Sequence, residues 1–252
     1  MALKWLLSTT LAIVFWTSPS AQANSGSVEL QAKDGVLISG LVYEAARPKA
    51  IILLFHQADS SKAEYATIAP RLVAAGYTAL AIDQRSGGSL YGPNETASRL
   101  AKPTTYEEAK ADLVAAVDWA QPLHLPIILW GSSYSAALIF EVAAEHEHEI
   151  SAILAFSPGE YLETSGAVAR AASQVHVPIY VTSASTTDEI EAGHAILSVS
   201  PARTKTQFQP KFGVHGSSTL IEARNPKGAA DNWNHVMAFL AALPKSPKSR
   251  NF

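Results

Sequence analysis

Two segments of this chain carry residue types suited to nucleophilic catalysis. The first is Pro126-Ile127-Ile128-Leu129-Trp130-Gly131-Ser132-Ser133-Tyr134-Ser135-Ala136-Ala137, an apolar run, a sharp turn and then a helix start rich in small residues. A serine at the apex of such a turn sits in a strained conformation that lifts its Oγ out of the sheet and faces it with the backbone N–H groups of a helix N-terminus. Small residues must flank it, because the chain passes close to itself there; Gly131 and Ser135 satisfy this for Ser133. Centring the turn on Ser132 would put Trp130 where a small residue belongs. The second segment, Phe212-Gly213-Val214-His215-Gly216-Ser217-Ser218, holds a histidine in a glycine-flanked loop. A neutral imidazole near pH 7 is suited to take a proton from a serine hydroxyl.

The Gly131-x-Ser133-x-Ser135 segment resembles the nucleophile elbow of the α/β-hydrolase family, whose usual form is G-x-S-x-G, with Ser135 replacing the second glycine. The resemblance extends over nearly the whole chain after the leader, and its compact length resembles the dienelactone-hydrolase-like branch. It implies an α/β-hydrolase fold with a mostly parallel central sheet, helices on both faces and no large lid domain.

That family orders its catalytic triad as nucleophile, acid, histidine. The resemblance therefore places the acid after the strand Val177–Ser183, where Ala184-Ser185-Thr186-Thr187-Asp188-Glu189 follows. Asp188 is the expected acid and Glu189 the alternate; a carboxylate there also serves the start of a helix electrostatically. His215 occupies the family's position for the base. The polar turn His56-Gln57-Ala58 matches the turn that supplies one oxyanion donor. By that match the Gln57 N–H joins the Tyr134 N–H in an oxyanion hole, while His56 braces the turn. Ile82-Asp83-Gln84-Arg85-Ser86-Gly87-Gly88 resembles the family's D-x-R-G-x-G turn, which implies a structural carboxylate at Asp83. His124, His146, His148, His176, His194 and His235 lack suitable neighbours.

The resemblance implies an acyl-transfer mechanism without metal or organic cofactor: Ser133 attacks a carbonyl, His215 moves the proton and water releases the acyl-enzyme. The implied partner is a small ester or lactone. A peptidase, an acyltransferase and a non-catalytic binding protein are the alternatives on the same scaffold.

The elements needed to position these residues are legible as an alternation of buried runs with amphipathic stretches. Ser27 to Gln31 and Val36 to Tyr43 read as an opening hairpin around Lys33-Asp34-Gly35. Strands are expected at 50–55, 78–82, 126–130, 151–156, 177–182 and 206–214. Helices are expected at 62–75, 106–120, 135–146, 167–174, 188–197 and 229–243. The irregular stretch 85–105 reads as an ordered excursion beside the site. Such alternation argues for right-handed crossovers and a sheet covered on both sides.

Composition agrees with one such domain. The 252 residues are 48% hydrophobic and 16% charged, with a net charge of −3 and no block of like charge, which argues against a nucleic-acid partner. The absence of cysteine leaves stability to packing. Residues 1–23 read as a signal peptide: Lys4 gives the charge, Trp5 to Trp16 the apolar core and Ala21-Gln22-Ala23 the cleavage site. That core is shorter than the roughly 20 residues needed to span a bilayer. The expected organisation is thus a leader at 1–23, a hydrolase domain at 24–243 and a flexible tail at 244–252, exported to the periplasm or beyond with no stable membrane insertion.

Overall fold

The computed structural model describes residues 24–244; the expected leader and nearly all of the expected tail lie outside the described residues. The elements run β1 (Asn24–Gln31), β2 (Leu37–Glu44), β3 (Ile51–Phe55), α1 (Ala69–Ala74), β4 (Thr78–Ile82), α2 (Lys110–Ala120), β5 (Ile127–Ser132), α3 (Tyr134–Glu145), β6 (Ile150–Phe156), α4 (Ala167–Ala172), β7 (Ile179–Thr182), α5 (Thr187–Val199), β8 (Lys205–Phe208) and α6 (Ala229–Ala242). All eight strands join one sheet in the order β1-β2-β4-β3-β5-β6-β7-β8. β1 and β2 are antiparallel to their neighbours, and the strands from β4 through β3 to β8 are mutually parallel.

Burial on both faces explains the unbroken apolar runs. Every residue of β3 and β4 is buried. Alternate side chains of β3 feed two separate cores: Ile51, Leu53 and Phe55 pack with α2 and α3, whereas Ile52 and Leu54 pack with α1 and α6. A sheet sandwiched in this way holds its strand ends rigidly, and the candidate residues sit at those ends.

Two expected elements depart most from the periodicity. The helix expected at 62–75 divides into a 3-10 turn at Lys62–Tyr65 and α1, because Pro70 opens a new first turn and cannot donate into the preceding one. The strand expected to reach Val214 stops at Phe208, since Pro210 cannot donate to a ladder and Gly213 packs its bare Cα against the Ser183 carbonyl. The freed segment 209–215 becomes the loop that carries His215. Among the described residues no helix is long and apolar enough to cross a membrane.

Candidate active site

The turn after β5 has the geometry expected of a nucleophile elbow. Ser133 adopts φ 60° and ψ −123°, a conformation costly for a residue with a Cβ, and α3 begins at the next residue. The strain is held from both sides. The Ser133 N–H donates to the Phe156 carbonyl at 2.8 Å, and the Ser133 carbonyl accepts from the Ala136 N–H at 2.8 Å. A Cβ on Gly131 would lie 2.5 Å from the Ser135 carbonyl oxygen, so this position admits only glycine. Ser135 fits where the family pattern has its second glycine because its hydroxyl donates to the His56 carbonyl and accepts from the Gln84 amide, each at 2.5 Å.

His215 reaches this turn from the loop after β8. Its Nε2 lies 2.8 Å from Ser133 Oγ, and its Nδ1 lies 2.9 Å from Glu189 Oε1. Nδ1–H donates to the carboxylate, which leaves the Nε2 lone pair to accept from the serine. The expected acid Asp188 is not part of this line. It is exposed in the first turn of α5, whereas Glu189, rotated about 100° around the helix, faces inward. Glu189 Oε2 also accepts from the Ala184 N–H at 2.9 Å. Burial alone would raise the Glu189 carboxyl, but hydrogen bonds from His215, Ser157 and Ala184 outweigh it and hold the group down at about 2.

The oxyanion assignment needs one correction. The Gln57 N–H is committed to Glu64 Oε2 at 2.9 Å and does not point freely into the site. The following amide, Ala58, and the Tyr134 N–H at the first position of α3 make no hydrogen bond to any described residue. His56 braces the turn as expected. Its Nε2 accepts from the Gln84 N–H at 3.0 Å, so Nδ1 carries the proton and donates to the Gln57 carbonyl at 2.8 Å. Full burial pushes the imidazole down to about 4, leaving it neutral. Asp83 is structural: it accepts from the Lys62 backbone, the Lys62 ammonium and the Glu95 N–H at 2.6–2.8 Å.

Four residues that carried no sequence signal complete the site. Ser157, at the end of β6 with φ 54°, accepts the Gly216 N–H at 2.8 Å and shares a hydrogen bond with Glu189. Tyr161 packs on Gly159 and donates to the Ser157 carbonyl at 3.1 Å; burial raises its phenol, while contact with the Ser133 side chain acts the other way. Tyr91, from the excursion between β4 and α2, pairs its hydroxyl with Ser218 Oγ at 2.5 Å. Glu64 is buried beneath the elbow. Among the described residues no group of three or more His, Asp or Glu side chains is arranged to hold a metal.

Residues 46–203 match the family described as serine aminopeptidase, S33. The chain belongs to that family. The chain also shares the α/β-hydrolase fold of solved dienelactone hydrolases and esterases. The dienelactone hydrolase of Anabaena variabilis is 18% identical with a TM-score of 0.70, over 88% of this chain and 99% of its own. The Pyrococcus furiosus esterase Pf2001 is 19% identical with a TM-score of 0.64, over 92% and 95%. Est1E of Butyrivibrio proteoclasticus, solved with ferulic acid bound, is 14% identical with a TM-score of 0.66, over 86% and 98%. No curated protein matches the sequence significantly.

Proposed function

We propose that this chain is a serine hydrolase that cleaves an ester or lactone bond of a small to medium substrate through a Ser133–His215–Glu189 triad. The observation that carries this reading is the continuous line of hydrogen bonds from Glu189 through His215 to Ser133 Oγ, on a serine held at φ 60°. In this reading His215 takes the Ser133 proton as Oγ attacks the acyl carbonyl, and Glu189 stabilises the resulting imidazolium. The imidazolium returns that proton to the leaving alcohol as the tetrahedral intermediate collapses to the acyl-enzyme. Water, deprotonated by the same imidazole, then attacks the acyl carbon, and the imidazolium returns its proton to Ser133 Oγ as the acyl–oxygen bond breaks and the acid leaves. The unpartnered Tyr134 and Ala58 N–H groups are assigned to the oxyanion, and one such donor is worth on the order of 10²- to 10³-fold in rate.

The ester assignment draws on the esterases and dienelactone hydrolases that share the fold; the family's description favours a second reading, cleavage of an amino-terminal peptide bond. Short acyl esters, lactones and aminoacyl amides assayed side by side separate the two. A fluorophosphonate probe is expected to label wild type and leave Ser133→Ala unlabelled; equal labelling of both would remove Ser133 from the nucleophile's role. Export belongs to the same proposal, supported by the basic, apolar and small-residue order of positions 1–23. Amino-terminal sequencing of the protein recovered outside the cytoplasm is expected to begin at Asn24.

A further inference from the structure

Glu64 is 1% exposed, and no lysine or arginine among the described residues forms an ion pair with it. Burying a carboxylate without a cation costs several kcal/mol unless fixed donors replace the lost water. Here the donors come from the site itself. Oε2 accepts the Gln57 N–H at 2.9 Å, Oε1 accepts the Ser132 hydroxyl at 2.8 Å, and the Ser60 hydroxyl also hydrogen-bonds the carboxylate. The Ser132 oxygen in turn accepts the Ser217 N–H at 2.8 Å, two residues beyond His215. Gly216 closes over the same spot, where a Cβ would stand 2.5 Å from Ser132 Oγ. One side chain therefore ties together the turn after β3, the residue preceding the nucleophile and the loop that carries the base.

We propose that Glu64 is a positioning residue: resting on the serine-hydrolase reading above, its carboxylate fixes the Ser133 turn, the His215 loop and the 56–58 turn in catalytic register by accepting from two donors at once. The requirement is for two acceptor oxygens. A glutamine of the same size has one, so its NH₂ would face either the Gln57 N–H or the Ser132 hydroxyl, which would then lose its acceptor. Aspartate is shorter but keeps both oxygens. If Glu64 only filled space, glutamine would be the better replacement; if it acts as a double acceptor, aspartate is.

The test is the rate of fluorophosphonate labelling, which needs no knowledge of the substrate, measured at about pH 8.5, where Glu64 is ionised, and well below the melting temperature on folded wild type, Glu64→Gln, Glu64→Asp, Ser132→Ala and the Glu64→Gln/Ser132→Ala pair. The expected order is wild type, then Glu64→Asp, then Glu64→Gln at least tenfold slower than wild type. The double variant is expected to be no slower than its slower parent, because both changes break the same connection. Glu64→Gln labelling as fast as Glu64→Asp or faster, or effects that multiply in the double variant, would overturn the proposal. With Ser133→Ala unlabelled, either result leaves the serine-hydrolase reading standing; labelling of Ser133→Ala would instead bring down that reading and this one with it.

Discussion

Glu189 Oε1 stands 2.9 Å from His215 Nδ1, and its neighbour Asp188 points into solvent. Two adjacent carboxylates on one helix cannot both face the same imidazole. Glu189→Gln keeps the size of the side chain but removes the negative charge that stabilises the imidazolium. It is expected to lower kcat by about 10³- to 10⁴-fold, by analogy with the loss of the acid in other serine triads. Asp188→Ala should stay within about twofold of wild type. Steady-state kinetics on any accepted ester decide this, and a larger loss for Asp188→Ala would reverse the assignment.

Acid should dismantle the same contact. Because the Glu189 carboxyl is held at about 2, below its ordinary range, it favours the folded state above about pH 4.5, and that contribution is lost as pH falls toward 2. His56 adds to acid lability. Held at about 4 by burial, it must take up a proton on unfolding, so stability rises with pH between about 4 and 6.5. Melting temperatures of wild type and Glu189→Gln, followed from pH 6 to pH 3, are expected to converge toward the acid end.

Glu64 runs in the opposite direction. Burial raises it to about 7 against the hydrogen bonds from Gln57, Ser132 and Ser60, so the folded state holds its proton more tightly than the unfolded chain. This contribution to stability is full below about pH 4.5 and is lost as pH rises toward 7, by an amount on the order of 3 kcal/mol. Relative to Glu64→Gln, wild type is therefore expected to lose melting temperature between pH 5 and pH 7.5. Parallel curves would refute the assignment.

The elbow itself should tolerate little. Gly131→Ala places a Cβ 2.5 Å from backbone atoms of α3, and the resulting displacement is expected to cost about 1–3 kcal/mol or more, with loss of labelling at Ser133. Urea denaturation and probe labelling of the same preparation measure both.

Ser157→Ala removes the acceptor of the Gly216 N–H and one donor to Glu189. Leaving that buried N–H unpaired is expected to cost about 1–3 kcal/mol in stability, and loosening His215 should reduce kcat more than it changes KM. An unchanged kcat would show that Glu189 and Ser133 suffice to orient the imidazole.

Residue pattern alone determined the strand and helix alternation, because a sheet buried on both faces requires continuous apolar runs and its crossovers require amphipathic helices. It also singled out Ser133 and His215, which the structure brings within 2.8 Å of each other, since a strained turn and a glycine-flanked loop each demand local residue types that survive in one dimension. What it could not determine was direction. Asp188 and Glu189 are equivalent as letters, and only the rotation of α5 against the His215 loop selects Glu189. Gln57 occupied the expected turn, yet its amide is taken by a carboxylate seven residues later. Glu64 fell inside the helix expected at 62–75 with nothing to mark it, and Ser157 and Tyr161 fell in the unassigned stretch between the strand at 151–156 and the helix at 167–174. Each acquires its role from contacts between strand ends distant in sequence, and those contacts exist only once the sheet brings the ends of β3, β5, β6 and β7 to one edge.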